Sequence, residues 1–271
     1  MRSWHVRYEL ATNFSAGVSD HAFVLRCFPY RPACYSIRNQ HCTIEPRSRC
    51  QWGEDAFGNT LMTGSFAAES TVFRVEVGFD ADMNYAAGVP EQRPPQALGM
   101  FAAHSRFTIP RDNLRALSAQ LGAGDGGGGE RGLALHLMHE LYARFRYVTG
   151  STNVRYDAEQ AFSQGCGVCQ DYAHILLSLC RQRRLCARYV AGAIPGEGQS
   201  HAWVEVLQRE SMTWLGLDPT HDRLCDDSYV PFAVGRDAHD CPLNRGVYLG
   251  FARQTQCVSV IMTPLQQEEQ N

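Results

Sequence analysis

A helical pattern followed at once by three apolar strand patterns constrains the fold of this chain more than any other feature. Residues 169–184 place four apolar side chains at the i, i+3, i+4, i+7 spacing of one helix face: Ala173, Leu176, Leu177 and Cys180. Three short apolar segments follow and predict strands: ARYVAGAI, HAWVEVL and TWLGLD. A helix packed against these strands is the expected core of the C-terminal half.

The first hundred or so residues alternate with the period of two that is typical of β-strands. In TVFRVEVGF (residues 71–79), apolar side chains from Phe73 to Phe79 point to one face, and Arg74 and Glu76 point to the other. No helical period interrupts these patterns. We therefore expect an α+β protein with an antiparallel β-sandwich-like domain over residues 1–108 and a second domain over residues 109–271.

Two more helix starts are indicated in the second half of the chain. Asp112 precedes LRALSAQL as a candidate N-terminal cap, and Asp157 with Gln160 forms the pattern of a capping box. The glycine-rich segment GAGDGGGG (residues 122–129) predicts a loop inside the second domain, and the last six residues, QQEEQN, predict a frayed end.

Charge and hydropathy exclude several classes of partner. The net charge is −3, and Lys and Arg do not cluster, which argues against nucleic acid and anionic membranes as partners. No apolar run approaches the roughly 20 residues that span a bilayer, and the N-terminus has no apolar signal-peptide region. We expect a cytoplasmic protein, with its eleven cysteines mostly reduced and its oligomeric state and any disulfides left open.

The segment SQGCGVCQDYAH (residues 163–174) admits three interpretations of its two cysteines. A thioredoxin-like redox pair requires a preceding buried strand, whereas a polar helical segment precedes Cys166. A zinc site requires a second ligand pair, and the spacing of Cys180 and Cys186 does not supply one. His136 and His139 lie three apart on a predicted helix with no evident third ligand. We therefore expect no metal and no cofactor.

The third interpretation is that Cys169 is a nucleophile at the start of a helix. Unpaired N–H groups and the helix dipole stabilise a thiolate at that position. Gly165 and Gly167 allow the preceding turn to bend, which leaves Cys166 as a bystander on the approach.

A nucleophilic cysteine needs an imidazole base and an acceptor that orients it, and the downstream strands supply both. With the hairpin centred between Arg209 and Glu210, His201 would lie directly opposite Asp218, within reach of a side-chain hydrogen bond. Trp203 would share that face.

Several other residues are candidates near this site. His221 and His239 are alternative bases, and the loop GRDAHDC (residues 235–241) is expected to border the cleft. Trp203 and Tyr172 are candidate wall residues.

Four motifs around these residues resemble the bacterial transglutaminase-like superfamily, whose members are often described as cysteine proteases. They are GCGVCQDYAHI, ARYVAGAIPGEGQSHAWVEV, WLGLDPTHD and VGRDAHDCPLNRGVYLG. RYELATNFSAGVSDHAFVLRCFP and DAFGN resemble the β region that precedes this domain in many members.

The resemblance implies a papain-like core, in which a helix bearing the nucleophile packs on an antiparallel sheet. It also implies a Cys-His-Asp triad at Cys169, His201 and Asp218. The backbone N–H of Cys169 and the side chain of Gln164 are the expected oxyanion donors.

The implied function is thiol acyl transfer at amide bonds of a peptide or protein substrate. Water as acceptor gives a protease, isopeptidase or amidase, and an amine acceptor gives a transglutaminase. The resemblance to the bacterial branch favours hydrolysis. A binding or scaffold protein with an unused triad is the alternative from another class. The N-terminal domain is expected to cover or frame the cleft.

Overall fold

A computed structural model of the chain describes residues 2–32, 34–122, 128–153 and 155–265. Most of the predicted glycine-rich loop and the predicted frayed end lie outside these residues.

Strands dominate both ends of the described chain, and the helices lie between them. The strands are β1 (Arg2–Leu25), β2 (Ser36–Glu45), β3 (Arg49–Glu54), β4 (Thr60–Phe66), β5 (Ser70–Met83), β6 (Val89–Pro90), β7 (Arg146–Tyr147), β8 (Cys166–Gly167), β9 (Ala187–Ala193), β10 (His201–Gln208), β11 (Thr213–Asp218), β12 (Arg223–Leu224), β13 (Val230–Gly235), β14 (Asn244–Leu249) and β15 (Gln254–Pro264). The helices are α1 (Gly99–Ala102), α2 (Asp112–Gln120), α3 (Gly129–Arg144), α4 (Ala158–Gln164) and α5 (Cys169–Gln182), with 3-10 turns at Tyr85–Ala87, Pro95–Leu98 and Arg106–Thr108.

Strand β1 is long enough to belong to two layers of antiparallel sheet. Its first part pairs with β5 and β15, and its second part pairs with β4 and β14. The pairing with β5 is irregular between Asn13 and Val18, where the strand passes from one layer to the other. The layers have the strand orders β2-β5-β1-β15 and β3-β4-β1-β14. The predicted antiparallel β region is therefore present, and Phe73 and Phe79 are buried in it as expected.

The C-terminal strands β14 and β15 pair with the N-terminal strand β1. Strand β15 pairs with β1 from Trp4↔Pro264 to Phe14↔Gln254, and β14 pairs with β1 near Leu25. Each layer would otherwise end at an unpaired edge of β1, whose N–H and C=O groups need partners. Sequence patterns did not reveal this because the paired residues lie more than 200 positions apart.

The second sheet has the strand order β12-β11-β10-β9-β13, and β6 adds to β11. All of its pairings are antiparallel. Helix α5 packs on β9 and β10 through the predicted stripe, since Ala173, Leu176, Leu177 and Cys180 are completely buried. Helix and sheet together form the predicted α+β core.

The start of α2 differs from the expected cap. Asp112 is the first helical residue, and its side chain makes no capping bond. The carboxylate of Glu159 on α4 instead accepts hydrogen bonds from the backbone N–H groups of Arg111 (2.8 Å), Asn113 (2.8 Å) and Leu114 (3.2 Å). A tertiary contact thus replaces the local cap. The capping box of Asp157 and Gln160 is confirmed.

Crossing a lipid bilayer requires a longer and more apolar helix than any of those described.

Candidate active site

The structure brings Cys169, His201 and Asp218 together where the start of α5 meets the ends of strands β10 and β11. Cys169 is the first residue of α5, His201 is the first residue of β10, and Asp218 is the last residue of β11. Nε2 of His201 lies 2.9 Å from Oδ2 of Asp218. Cys169 lines the same cavity as His201 and interacts with this imidazole, whose Nδ1 is not used by Asp218.

The Asp218 carboxylate is held by donors from three other residues as well as by His201. Its Oδ2 lies 2.8 Å from Nδ1 of His221 and accepts a hydrogen bond from the Tyr229 hydroxyl at 2.7 Å. Its Oδ1 accepts the backbone N–H of Thr220 at 2.9 Å. A fully buried carboxylate with this many donors is fixed in position and stays ionised.

These contacts move the two pKa values in opposite directions. Burial lowers the pKa of His201, but its hydrogen bonds to Asp218 and Cys169 and the attraction of Asp218 outweigh burial and raise the pKa to about 10. Burial raises the pKa of Asp218, but the hydrogen bonds from His201, His221 and Tyr229 outweigh it and hold that pKa well below its usual range. His201 is therefore an imidazolium at neutral pH in the free protein.

The hairpin register differs from the predicted one by two residues. Gln208 pairs with Thr213 and Val204 pairs with Leu217, so Asp218 falls beside Trp203 rather than directly opposite His201. The turn takes residues 209–212, with Met212 in the left-handed region at φ 52°. His201 still reaches Asp218 because diagonal neighbours on one face of a sheet are within reach of long side chains.

The turn before Cys169 is built so that the helix begins at the cysteine. Asp171 reaches back with Oδ2 to accept the N–H of Val168 at 2.8 Å, as the third residue of a capping box does. Gly167 cannot carry a side chain, since a Cβ there would lie 2.5 Å from this Asp171 oxygen. Gly165 ends α4 at φ 74°, in the left-handed region that favours glycine.

A cavity of about 510 Å³ opens in front of Cys169 and His201. The predicted border loop is at its rim, where Ala238, His239 and Cys241 line it. Tyr8 from β1 and Val258 from β15 also line it, so the N-terminal layers frame the cleft as expected.

The structure does not bring the expected oxyanion and wall residues to this cavity. The Gln164 side chain is exposed and donates to the carbonyl oxygen of Ser151 at 2.7 Å. The Tyr172 hydroxyl donates to the carbonyl oxygen of Phe145 at 2.6 Å, away from the triad. Trp203 stacks behind His201, with ring centroids 6.3 Å apart and planes 24° apart. Phe107 and Tyr189 line the cavity instead.

A buried polar chain supports the triad from behind. The indole N–H of Trp203 donates to the Tyr85 hydroxyl at 2.8 Å, and that hydroxyl donates to the Glu205 carboxylate. Glu205 pairs in turn with Arg188, and both side chains are 1% exposed. Sequence analysis missed Tyr85, Glu205, Arg188 and Tyr229. Arg188 and Glu205 each lie within an apolar strand pattern, and because a buried charge needs a partner, their positions indicated an ion pair.

The other candidate sites do not form. All eleven cysteines are free, and Cys180 and Cys186 are buried. His139 pairs with Asp222 rather than with His136. Within the described residues, His201, Asp218 and His221 form the one group of three possible metal ligands whose ligand atoms lie within 4.8 Å of one another. Hydrogen bonds join these three side chains here.

His174 organises the cavity rim from inside α5. Its Nε2 accepts the backbone N–H of Ala238 at 3.1 Å, and its ring stacks on Phe107 with centroids 5.4 Å apart. Burial lowers its pKa from 6.5 to about 4.

We expect this histidine to make the protein acid-sensitive. Between pH 6.5 and about pH 4, His174 is protonated in the unfolded chain but neutral in the folded protein. The free energy of unfolding therefore falls as pH falls through this window. In His174→Gln, whose side-chain oxygen can accept the Ala238 N–H, that fall becomes shallower. Urea unfolding at pH 7.5, 6 and 4.5 measures both slopes, and parallel slopes would contradict the assignment.

Comparison with known proteins agrees with this geometry. Residues 116–219 match the transglutaminase-like superfamily, and residues 4–82 match the bacterial transglutaminase-like N-terminal region. An uncharacterized protein of Mycobacterium bovis is 34% identical over 145 residues, which are 48% of this chain and 46% of that protein. One of Mycobacterium leprae is 36% identical over 118 residues, 40% of this chain and 41% of that protein. The match thus spans less than half the length of these curated relatives.

Among solved structures, a candidate cysteine protease from Cytophaga hutchinsonii superimposes with a TM-score of 0.75 at 21% identity. The superposition covers 98% of this chain and 92% of that one. At this identity the likeness shows a shared fold. Since the two sequence matches cover the N-terminal layers and the core that carries Cys169, His201 and Asp218, the chain belongs to the transglutaminase-like superfamily, with a bacterial transglutaminase-like N-terminal region ahead of its core.

Proposed function

We propose that this protein is a thiol acyl-transfer enzyme that cleaves amide bonds of peptides or proteins. The observation that carries the proposal is the His201 imidazole, which is 3% exposed, hydrogen-bonded to Asp218 and placed beside Cys169 in the lining of one cavity. Its pKa of about 10 keeps the imidazole positively charged at neutral pH, and this charge would stabilise a thiolate on Cys169 during the reaction.

The first half of the reaction uses both members of this pair. The Cys169 thiolate attacks the amide carbonyl carbon, and the negative charge passes to the carbonyl oxygen. The backbone N–H at the start of α5 faces that charge together with the helix dipole. His201 then gives its proton to the departing amine, which leaves a thioester on Cys169 and a neutral imidazole.

The second half resolves the thioester. Neutral His201 takes a proton from water, the hydroxide attacks the thioester carbon, and the carboxylic acid leaves as Cys169 returns to the thiolate. Asp218 keeps Nδ1 of His201 turned to the substrate throughout by holding Nε2. Because the cavity opens to solvent, water is the acceptor in largest excess, which favours hydrolysis over transfer to an amine.

Thiol labelling tests the activated nucleophile. At pH 7 we expect iodoacetamide to alkylate Cys169 at least about tenfold faster than the other ten thiols, because its thiolate is paired with His201. Peptide mapping by mass spectrometry measures each rate. Labelling of Cys169 no faster than of exposed Cys50 or Cys257 would contradict the proposal.

A peptide and isopeptide library, incubated with and without a primary amine, then separates the two outcomes. Shortened peptides and free acids indicate hydrolysis. Incorporation of the amine at the expense of the acid indicates a transglutaminase. If the protein retains library peptides without forming either product, it is a binding protein with an unused triad.

A further inference from the structure

The catalytic cavity has a one-sided charge. Among the described residues that line it, Arg245 is a permanent cation and His201 is the imidazolium described above. No aspartate or glutamate of the described chain is part of that lining. Apart from the Cys169 nucleophile, a substrate that enters this cavity therefore meets only neutral or positive side chains among the described residues.

The acidic groups closest to the site are committed elsewhere. Asp218 is completely buried behind His201, and Glu197 lies 3.6 Å from Nε2 of His221. Asp240 pairs with Arg236 at 2.8 Å. Asp237 is 4% exposed and accepts the backbone N–H of His239 at 2.8 Å. None of these carboxylates neutralises Arg245.

Arg245 itself is exposed on β14, the edge strand of the layer β3-β4-β1-β14. The residues paired across this layer in its row are Val24, Thr63 and Gln51, which are all uncharged. Its guanidinium makes no hydrogen bond or ion pair with any residue in the described ranges. Arg245 lines the catalytic cavity and also the groove formed by Val24, Thr63 and Gln51, so its unpaired fork of N–H donors is available where the two meet.

We propose that Arg245 determines specificity by binding a carboxylate of the acyl donor, so that the preferred substrate is an acidic polypeptide segment. This inference rests on the proposed function, because it names the substrate class of the same site. An arginine binds a carboxylate through two parallel N–H···O bonds, and a cavity without acidic groups adds long-range attraction. A lysine-rich segment would be repelled from the same cavity.

Paired alkylating reagents test the charge preference without knowledge of the substrate. Iodoacetate and iodoacetamide react with the same thiolate, but only iodoacetate is an anion. We expect Arg245→Glu to lower the ratio of their rates at Cys169 about three- to tenfold, because two units of charge change in the lining of the cavity that contains Cys169. Added salt should shrink this effect.

Arg49→Glu is the matched control. Arg49 is an exposed arginine on the same face of the same layer, and it does not line the catalytic cavity. The same charge reversal there should leave the ratio within about twofold of the wild type, because Arg49 is outside the cavity lining and salt screens exposed charges.

Peptides with glutamate or glutamine beside the scissile amide extend the test to binding. We expect the wild type to have a lower KM for the glutamate peptide and Arg245→Glu to reverse the order, with kcat changed less than KM. A ratio of alkylation rates that is equal in the wild type and Arg245→Glu overturns the inference and leaves acyl transfer standing. A ratio that responds to Arg245 without any peptide turnover overturns acyl transfer and keeps the anion site. A Cys169 that neither reagent alkylates overturns both.

Discussion

Cys169→Ala should lower kcat/KM for amide cleavage by about 10⁴- to 10⁶-fold, because no other group can form the thioester. The alanine keeps the helix start, since Asp171 bonds to the N–H of Val168 and not to Cys169. Folding should be unchanged, so circular dichroism and thermal unfolding of the variant should match those of the wild type. Turnover of a peptide identified in the library measures the loss.

Cys166→Ser is the control for this substitution. Cys166 lies three residues earlier, its Sγ is 3.6 Å from Nε2 of Gln164, and it is not part of the cavity lining. We expect Cys166→Ser to keep kcat/KM within about threefold, as surface substitutions away from a site usually do. If the two variants were equally inactive, the two thiols would act as a pair, and the redox interpretation of the sequence would return.

Removing the charge of Glu205 should have the largest effect on stability. Glu205→Gln leaves Arg188 charged and almost completely buried beside the ring of Trp214, 4.2 Å from its centroid. A broken buried ion pair costs about 3–5 kcal/mol of the free energy of unfolding. For a chain of this size the melting temperature should fall by roughly 10 °C. Urea unfolding and calorimetry measure both quantities.

An exposed ion pair provides the comparison. Arg74 and Glu45 pair at 2.8 Å on the surface, and Glu45→Gln should cost at most about 1 kcal/mol because water solvates both groups. The double variant Arg188→Met with Glu205→Leu should recover part of the loss, since it leaves no buried charge unpaired. A Glu205→Gln protein as stable as Glu45→Gln would show that Arg188 is solvated in solution.

The consequences of Glu205→Gln should reach the active site. Glu205 accepts from the Tyr85 hydroxyl, which accepts the indole N–H of Trp203, and that indole stacks on His201. The Arg188–Glu205 ion pair therefore lies at the end of a chain of contacts that holds the His201 imidazole in position.

Local patterns were sufficient where each residue's environment depends on its near neighbours. The stripe of α5 and the Asp157–Gln160 capping box follow from the helical period, and both are present. Cys169 at a helix start, with His201 and Asp218 at the ends of two strands, could be selected because residue type and strand position restrict the chemistry.

Other features did not follow from the sequence patterns. The predicted hairpin register was wrong by two residues because the turn extends to Met212, which has a left-handed conformation. The cap of α2 comes from Glu159 on another helix. Tyr229, in the loop between β12 and β13, donates the remaining hydrogen bond to Asp218.

Helix and strand periodicity in the sequence by itself determined the helix-on-sheet core, and residue chemistry together with the family resemblance selected the three residues of the candidate triad. Only the tertiary structure decided what surrounds them. The tertiary structure pairs β14 and β15 with β1, and this pairing places Arg245 and Val258 in the cavity lining. The physical reason is that periodicity reports which side of an element faces the core, whereas the edge of β1 is paired by whichever distant strand satisfies its N–H and C=O groups.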